Sequence, residues 1–285
     1  MSKLCASIIL PVHDNSPFLQ DCLNSINSQI NNELYELIIV LDRVSSSSLK
    51  LINQFQFNLK YKIISNTEKG LANSLNLGIL ESETEYIARI DHDDIMKPDR
   101  LRSQLNFFYN NPEYVVVGSN VILIDSLGSF IRKSNYPTTD ELIKSKLKKE
   151  NVLAHPSVMI KKISIFKAGM YRNFYEGAED YDLWLRLSKF GKMANLSECL
   201  TLYRQHPGQM STINLKKQWI ITESVKTSAA LKIEGSIELD AKYRNVEDWY
   251  NQNLRIKFKY YYVRFRSLVN KVMLSKYWSK IVKLK

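Results

Sequence analysis

The regular alternation of short apolar runs with helical patterns is the feature that most constrains how this chain can fold. Apolar, β-branched runs occupy residues 7–12, 36–41, 61–65, 86–90 and 114–124. Between them, apolar residues recur at helical spacing. This pattern predicts an α/β fold with a mostly parallel twisted sheet and helices on both of its faces. Ligands bind such sheets beyond the carboxyl ends of the strands, so the residues that follow each strand are the first candidates for a site.

Three carboxylates follow the fourth predicted strand: Asp91, Asp93 and Asp94. Acids this close repel one another, and burying them without partners is costly. A divalent cation removes the repulsion, and oxygen ligands together with a diphosphate suit Mg²⁺ or Mn²⁺. The alternative is a solvated loop whose acids cap the next helix. The position at a sheet edge favours the metal site.

A second acidic group begins the helix predicted near residues 180–190. Asp180 has the chemistry of a general base that takes a proton from an attacking hydroxyl. The alternative for Glu179 and Asp180 is a helix N-terminus that the helix dipole favours on its own. Trp184 is either a core residue or a stacking surface for a sugar ring. Further along, Arg204 suits phosphate and His206 suits a metal, although a lone histidine is often structural.

Several phosphate-binding and catalytic motifs are absent from the sequence. There is no phosphate-binding P-loop, no glycine-rich dinucleotide fingerprint after the first strand, no zinc-ligand spacing and no nucleophile elbow. With nine glycines in the chain, a backbone cradle for phosphate is not expected. Phosphate would therefore be held by a metal and by side chains.

Taken together, the motifs resemble those of the family-2 glycosyltransferases, which have the GT-A fold. The resemblance runs from about residue 7 to residue 206, and its order and spacing make it specific. The matching segments are residues 9–14, 36–42, 70–78, 86–94, 155–158, 179–184 and 203–206.

The resemblance implies a role for each matching residue. The nucleotide-sugar donor would be bound by Pro11, His13, Asp42, Lys69, Asp91 and Arg204. Asp93 would hold Mg²⁺ or Mn²⁺ with help from His206. Asp180 would be the catalytic base, with Glu179 and Trp184 near the acceptor. Two departures weaken base recognition, because the family's Tyr-Asn is His13-Asp14 here and its paired Asp is Leu41-Asp42.

The implied activity is inverting transfer of one hexosyl or N-acetylhexosaminyl group. The donor would be a nucleoside-diphosphate sugar, with UDP expected, and the acceptor a hydroxyl of a glycan or lipid-linked molecule in bacterial capsule, O-antigen or other surface-polysaccharide synthesis. The Gln-x-x-Arg-Trp motif of processive synthases is absent, which favours transfer of a single sugar. Two other classes stay open: a non-catalytic nucleotide- or sugar-binding protein on a decayed transferase scaffold, and a nucleic-acid-binding protein.

The C-terminal segment carries most of the positive charge. From Lys242 onward there are twelve Lys and Arg residues and two acids, so this segment holds ten of the eleven net positive charges. We expect a catalytic domain at residues 1–215 and a basic, helical extension at residues 216–285. From residue 254 the extension is amphipathic and suits either an anionic membrane surface or packing on the catalytic domain.

The basic extension also suggests where the protein works. No nucleic-acid partner is expected, because that role leaves the acidic clusters unexplained. Three cysteines at no metal-like spacing suit a reducing compartment. The N-terminus lacks the pattern of a signal peptide. These features predict a cytoplasmic protein that associates peripherally with the inner face of the plasma membrane.

Overall fold

The computed structural model describes residues 4–14, 17–209 and 215–230. The structure falls into two units, divided between Ile213 and Asn214. The amphipathic tail predicted from residue 254 lies outside the described residues. For that reason the domain division at residue 215 stays a prediction.

The first unit is built on one sheet. The described residues form nine strands: β1 (Ala6–Asp14), β2 (Tyr35–Val44), β3 (Lys60–Ser65), β4 (Tyr86–Arg89), β5 (Ile95–Met96), β6 (Tyr114–Ile124), β7 (Phe130–Lys133), β8 (Met159–Lys161) and β9 (Lys192–Arg204). Their order across the sheet is β3-β2-β1-β4-β8-β6-β9-β5, and β7 pairs with β6. The α/β class predicted from the alternation is therefore confirmed.

The two halves of the sheet differ in strand direction. β1, β2, β3 and β4 pair in parallel, as the alternation predicts. β8 is antiparallel to both β4 and β6, and β6 and β9 return to a parallel pairing. The antiparallel strands come from the segment between residues 125 and 172 and from short runs that show no clear periodicity. Direction changes at β4, directly before the acidic segment.

Helices cover both faces of the parallel half. The helices are α1 (Leu19–Asn27), α2 (Ser46–Gln54), α3 (Leu71–Glu81), α4 (Arg100–Asn110), α5 (Asp140–Leu147), α6 (Lys162–Lys167), α7 (Glu179–Leu187) and, in the second unit, α8 (Leu215–Ala230). α1 and α4 pack with alternate β1 residues such as Leu10 in one buried cluster. α3 packs on the opposite face through Gly78, where an added Cβ would lie 2.6 Å from Cγ2 of Ile9. Among the described helices, none is both long and apolar enough to cross a membrane.

The carboxyl ends of β1 and β2 carry strained backbone. Asp14 and Arg43 have φ angles of 54° and 51°, in the left-handed region that L-residues avoid. In the parallel register His13 lies beside Asp42. Strain of this kind persists only where the surrounding structure holds it, and it concentrates at binding sites.

Candidate active site

Asp91, Asp93 and Asp94 form a compact carboxylate cluster in the loop that follows β4. One ligand oxygen from each lies within 4.8 Å of the others. This loop leaves the sheet between the parallel strand β1 and the antiparallel strand β8. The structure therefore brings together the three acids that the sequence singled out, at the predicted edge of the sheet.

Asp94 is the buried member of the cluster. Its side chain is fully buried, and its Oδ1 accepts the backbone N–H of Arg204 at 2.8 Å. Its Oδ2 has no hydrogen-bond partner among the described residues. Burial, followed by the charges of Asp93 and Asp91, raises the pKa of Asp94 well above its ordinary value. An unpartnered buried oxygen beside two further carboxylates is an arrangement that a cation would stabilise.

His206 reaches the same cluster from the end of β9. Its Nε2 lies 2.9 Å from Oδ2 of Asp93, and its ring lies 4.9 Å from the ring of Phe18. The sequence predicted both residues as metal ligands, and the structure places them in contact. Carboxylates with an imidazole form a donor set that fits a divalent cation, so the residues present are compatible with the predicted Mg²⁺ or Mn²⁺.

Arg204 is placed differently from a phosphate ligand. Its side chain is 3% exposed, and its Nη2 donates to Asp21 at 3.0 Å. Its Nε donates to the carbonyl of Asp93 at 3.0 Å, and its guanidinium stacks 4.4 Å from the ring centroid of Phe18. The N–H groups of Arg204 therefore hydrogen-bond to the protein and help to hold the acidic loop in place. The expectation that they contact the phosphates of the nucleotide-sugar does not fit this geometry.

Arg89, at the end of β4, orients Asp91. The guanidinium is buried and donates two hydrogen bonds to the two carboxylate oxygens of Asp91. Two parallel hydrogen bonds fix both the plane and the position of a carboxylate. The sequence carried a signal for this role, because Arg89 is a charge at the end of an otherwise apolar strand and a buried charge needs a partner.

Asp180 lies in the first turn of α7, partly exposed. Its Oδ1 accepts the N–H of Tyr181 and its Oδ2 accepts the side-chain amide of Asn151, both at 2.7 Å. Burial raises the pKa of Asp180, and these two hydrogen bonds oppose the increase. A raised pKa brings a carboxylate closer to the range in which a general base works. No local pattern in the sequence pointed to Asn151.

Glu179 and Trp184 are buried, which corrects their expected contact with an acceptor. Trp184 is fully buried, with His155 at its edge, and is a core residue. Glu179 is 4% exposed and accepts the N–H of Gly177 at 2.6 Å. Burial, followed by the charge of Asp180, raises the pKa of Glu179 to about 7. Both side chains therefore lie on the inner side of α7, Glu179 in its first turn and Trp184 on its apolar face.

Electrostatics link the acidic loop to α7. After burial and its hydrogen bonds, the pKa of Asp180 responds to Arg89, whose charge lowers it, and to Asp91, whose charge raises it. Arg89 also lowers the pKa of Glu179 and of His155. Such effects need charges close together in a poorly solvated region. Contacts also join the end of β4 to the first turn of α7: Arg100 donates to the carbonyls of Arg89 and Pro156, and Nδ1 of His155 lies 4.0 Å from Oε1 of Glu179. The segments that carry the two acidic groups therefore share one buried framework.

The residues predicted for the nucleotide lie at the ends of β1 and β2. Pro11 is buried within β1, whereas His13 is exposed at its end. Asp42 is 4% exposed, and its Oδ2 accepts the N–H of Gly70 at 3.1 Å. Lys69 is exposed beside this contact. Asp42 thus caps the start of α3, and the other oxygen of its carboxylate pairs with Arg43.

A buried polar network supports the site, and only the structure shows it. Arg100, at the start of α4, is fully buried and donates to the carbonyls of Arg89, Pro156 and Val158. This ties β4 to the turn at His155–Ser157. His155 accepts or donates a 2.9 Å hydrogen bond with the hydroxyl of Tyr171, and burial lowers its pKa well below the ordinary value. His155 is therefore part of the buried framework that supports the site.

Comparison with solved structures identifies the fold. The structure of S. aureus TarS 1-349 in complex with UDP-GlcNAc aligns with a TM-score of 0.61 at 15% identity, over 78% of this chain and 65% of that one. This chain thus spans less than two thirds of that fragment, and the likeness establishes the fold alone. The predicted GT-A-like architecture is confirmed. With its carboxylate cluster at the strand ends, the molecule has the architecture of the GT-A class of proteins.

Sequence comparison then gives the family. The family described as "Glycosyl transferase family 2" matches residues 7–174. The amylovoran biosynthesis glycosyltransferase AmsE of Erwinia amylovora is 31% identical over 75% of this chain and 80% of its own length. The O-antigen biosynthesis glycosyltransferase WbnJ of Escherichia coli is 32% identical over 70% and 79%. The chain belongs to glycosyl transferase family 2.

Proposed function

We propose that the protein transfers one sugar, with inversion, from a UDP-sugar to a hydroxyl of a glycan or lipid-linked acceptor during assembly of a bacterial surface polysaccharide. The observation that carries this proposal is the compact cluster of Asp91, Asp93 and Asp94 beyond the end of β4, in a chain that belongs to glycosyl transferase family 2. Relatives named for amylovoran and O-antigen synthesis, and a structural neighbour solved with UDP-GlcNAc, support the acceptor and donor classes.

In this proposal one group of residues binds the nucleotide-sugar donor and another acts on the acceptor. Arg89 holds Asp91 on the donor side, while Asp42 and the exposed His13 border the nucleotide. Asp93, with Asp94 and His206, would hold Mg²⁺ or Mn²⁺, which when bound neutralises charge on the leaving diphosphate.

On the acceptor side, Asp180 is the proposed base. Asn151 and the N–H of Tyr181 orient its carboxylate. It would take the proton from the acceptor hydroxyl as that oxygen attacks the anomeric carbon, and the nucleoside diphosphate would leave from the opposite face. This single displacement needs no covalent intermediate on the enzyme.

The substitution Asp180→Asn tests the proposal, because asparagine keeps the size of the side chain but is a poor base. We expect kcat to fall by about a thousandfold or more, while UDP-sugar binding, measured calorimetrically with Mn²⁺, stays within about threefold. Glu150→Gln is the matched control, since Glu150 is an exposed acid beside Asn151. Transfer at the wild-type rate by Asp180→Asn, with Glu150→Gln also normal, would refute the assignment of the base.

A further inference from the structure

The turn between β6 and β7 exposes a cluster of apolar side chains. Leu127 is 88% exposed, Phe130 64% and Ile131 43%. Isolated exposed apolar residues are common on protein surfaces. Three within five successive residues form a patch, and patches of this kind mark interaction surfaces.

The turn is held in a fixed conformation. Oδ1 of Asp125 accepts the N–H groups of Leu127 at 2.9 Å and Ser129 at 2.8 Å. Gly128, with φ of 83°, donates its N–H to the carbonyl of Asp125 at 3.1 Å. Turns of this kind prefer small polar residues. In this turn the solvent-exposed position is instead occupied by Leu127.

Apolar and basic residues are layered along the hairpin. Leu127 lies in the turn, Phe130 and Ile131 begin β7, and Arg132 and Lys133 follow. Successive strand residues point to opposite faces, so each face of β7 carries an apolar residue near the turn and a basic residue about 7 Å further along. All four side chains of β7 are exposed, and residues 126–133 contain no acid.

The turn adjoins the acidic loop. Nη1 of Arg204 lies 3.5 Å from the carbonyl oxygen of Asp125 and 3.4 Å from that of Ser126. The same guanidinium donates to the carbonyl of Asp93. A surface docked against this turn would therefore lie next to the proposed site of sugar transfer.

We propose that residues 127–133 form a membrane-docking tip that recognises an anionic lipid surface. Leu127, Phe130 and Ile131 enter the interface between headgroups and acyl chains, and Arg132 and Lys133 meet the lipid phosphates. The proposal deepens the proposed function, because a lipid-linked acceptor would then be presented at the acidic loop. The basic residues favour lipid over tip-to-tip contact with a second copy of the chain, since residues 127–133 contain no acid to pair with them.

Vesicle binding by the full chain is the first test. With vesicles containing phosphatidylglycerol, Leu127→Ser/Phe130→Ser should weaken partitioning at least about tenfold. The control Leu80→Ser/Ile163→Ser removes two other exposed apolar residues, which are 58% and 56% exposed, and should bind normally.

The basic pair is tested in the same assay. Arg132→Gln/Lys133→Gln should abolish much of the preference for anionic over neutral vesicles, whereas the exposed pair changed by Lys148→Gln/Lys149→Gln should not. If both double variants lose the preference for anionic vesicles equally, the effect is one of overall charge, and the proposed role of the tip is overturned.

A second readout reports on the tip alone, because the basic tail of the full chain can also hold the protein on a vesicle. An environment-sensitive fluorophore is attached to Leu127→Cys in a Cys5→Ser/Cys199→Ser background, which leaves the buried Cys22. A blue shift with vesicles, and quenching by lipid-borne nitroxides, is the expected result. A probe that stays in water on bound protein overturns the proposal. So does a shift that needs only higher protein concentration, which would indicate self-association.

Vesicle binding requires neither donor nor base, so the two proposals fail separately. Asp180→Asn should dock like the wild type, whereas the Leu127→Ser/Phe130→Ser variant should keep donor binding. Loss of docking with intact transfer to a soluble acceptor identifies the tip as a membrane element and not as part of the catalytic machinery.

Discussion

Asp94→Asn should have opposite effects on the metal-free and metal-loaded protein. In the wild type, the Asp94 carboxylate is fully buried, lies within 4.8 Å of two other carboxylates and has an oxygen without a partner among the described residues. At 4.8 Å and an effective dielectric constant of about 20, two unit charges repel by about 3.5 kcal/mol. Asparagine removes this repulsion and keeps an oxygen for the N–H of Arg204.

The expected gain is smaller than the full repulsion, because Asp94 escapes part of it by holding a proton. We expect the metal-free variant to be about 1–2 kcal/mol more stable than the wild type, which corresponds to about 2–8 °C in Tm for a domain of this size. The pKa of Asp94 is raised in the folded state. The carboxylate therefore does not destabilise the wild type below the unfolded-state pKa, and its destabilising effect grows as pH rises toward the folded-state pKa. The gain should therefore shrink toward about pH 4 and be larger at about pH 8.

Thermal unfolding in EDTA and in Mn²⁺ measures both effects. Wild-type Tm should rise with Mn²⁺, and the Asp94→Asn variant should start higher in EDTA but gain little from the metal. The exposed acid Glu150 gives a control, Glu150→Gln, that should leave both values unchanged. A variant that is less stable than the wild type in EDTA would show that Asp94 has a favourable partner, and the reasoning about the cluster would be wrong.

Three further predictions concern the framework of the site. Arg100→Met removes a buried guanidinium that donates to three backbone carbonyls, so the free energy of unfolding in urea should fall by about 2–4 kcal/mol, with no change for the exposed Arg102→Met. Gly78→Ala would bring a Cβ 2.6 Å from a methyl group of Ile9 and should cost about 1–3 kcal/mol in the same assay; unchanged stability would mean that α3 shifts freely. Burial raises the pKa of Glu179 to about 7, so the folded protein favours the protonated form and wild-type stability should decline as pH rises from about 4 toward 7. Glu179→Gln should flatten this decline. Superimposable profiles of stability against pH for the two proteins would contradict the prediction.

Sequence reasoning located the acidic loop because its signal is local. Asp91, Asp93 and Asp94 are adjacent in the chain and follow an apolar run, so their clustering needs no knowledge of the fold. The same holds for the parallel strands and the helices between them, whose periodicity lies within about ten residues. β5, with two residues, and β8, with three, are too short to show any period, and they form because distant strands offer them hydrogen-bonding partners.

The roles of side chains proved harder to predict than their positions. Arg204 and Trp184 have the chemistry to bind phosphate and sugar, yet both are buried, because β9 and α7 turn these faces inward. Conversely, Asn151 has no distinctive sequence context and lies far from Asp180 in the chain, but it holds the proposed base at 2.7 Å. Whether a polar side chain meets ligand or protein depends on contacts between distant segments, which no local pattern encodes.

The sequence by itself determined the α/β framework, the carboxylate cluster and the family. The first two rest on residues close together in the chain, and the family rests on the order and spacing of short motifs along it. Tertiary structure alone decided that Arg89 pairs with Asp91, that Asn151 hydrogen-bonds to Asp180, and that Asp94 is excluded from solvent. The physical reason is that charge interactions and burial depend on distance in space and on exclusion of water, and folding sets both only when segments distant in the chain are brought together.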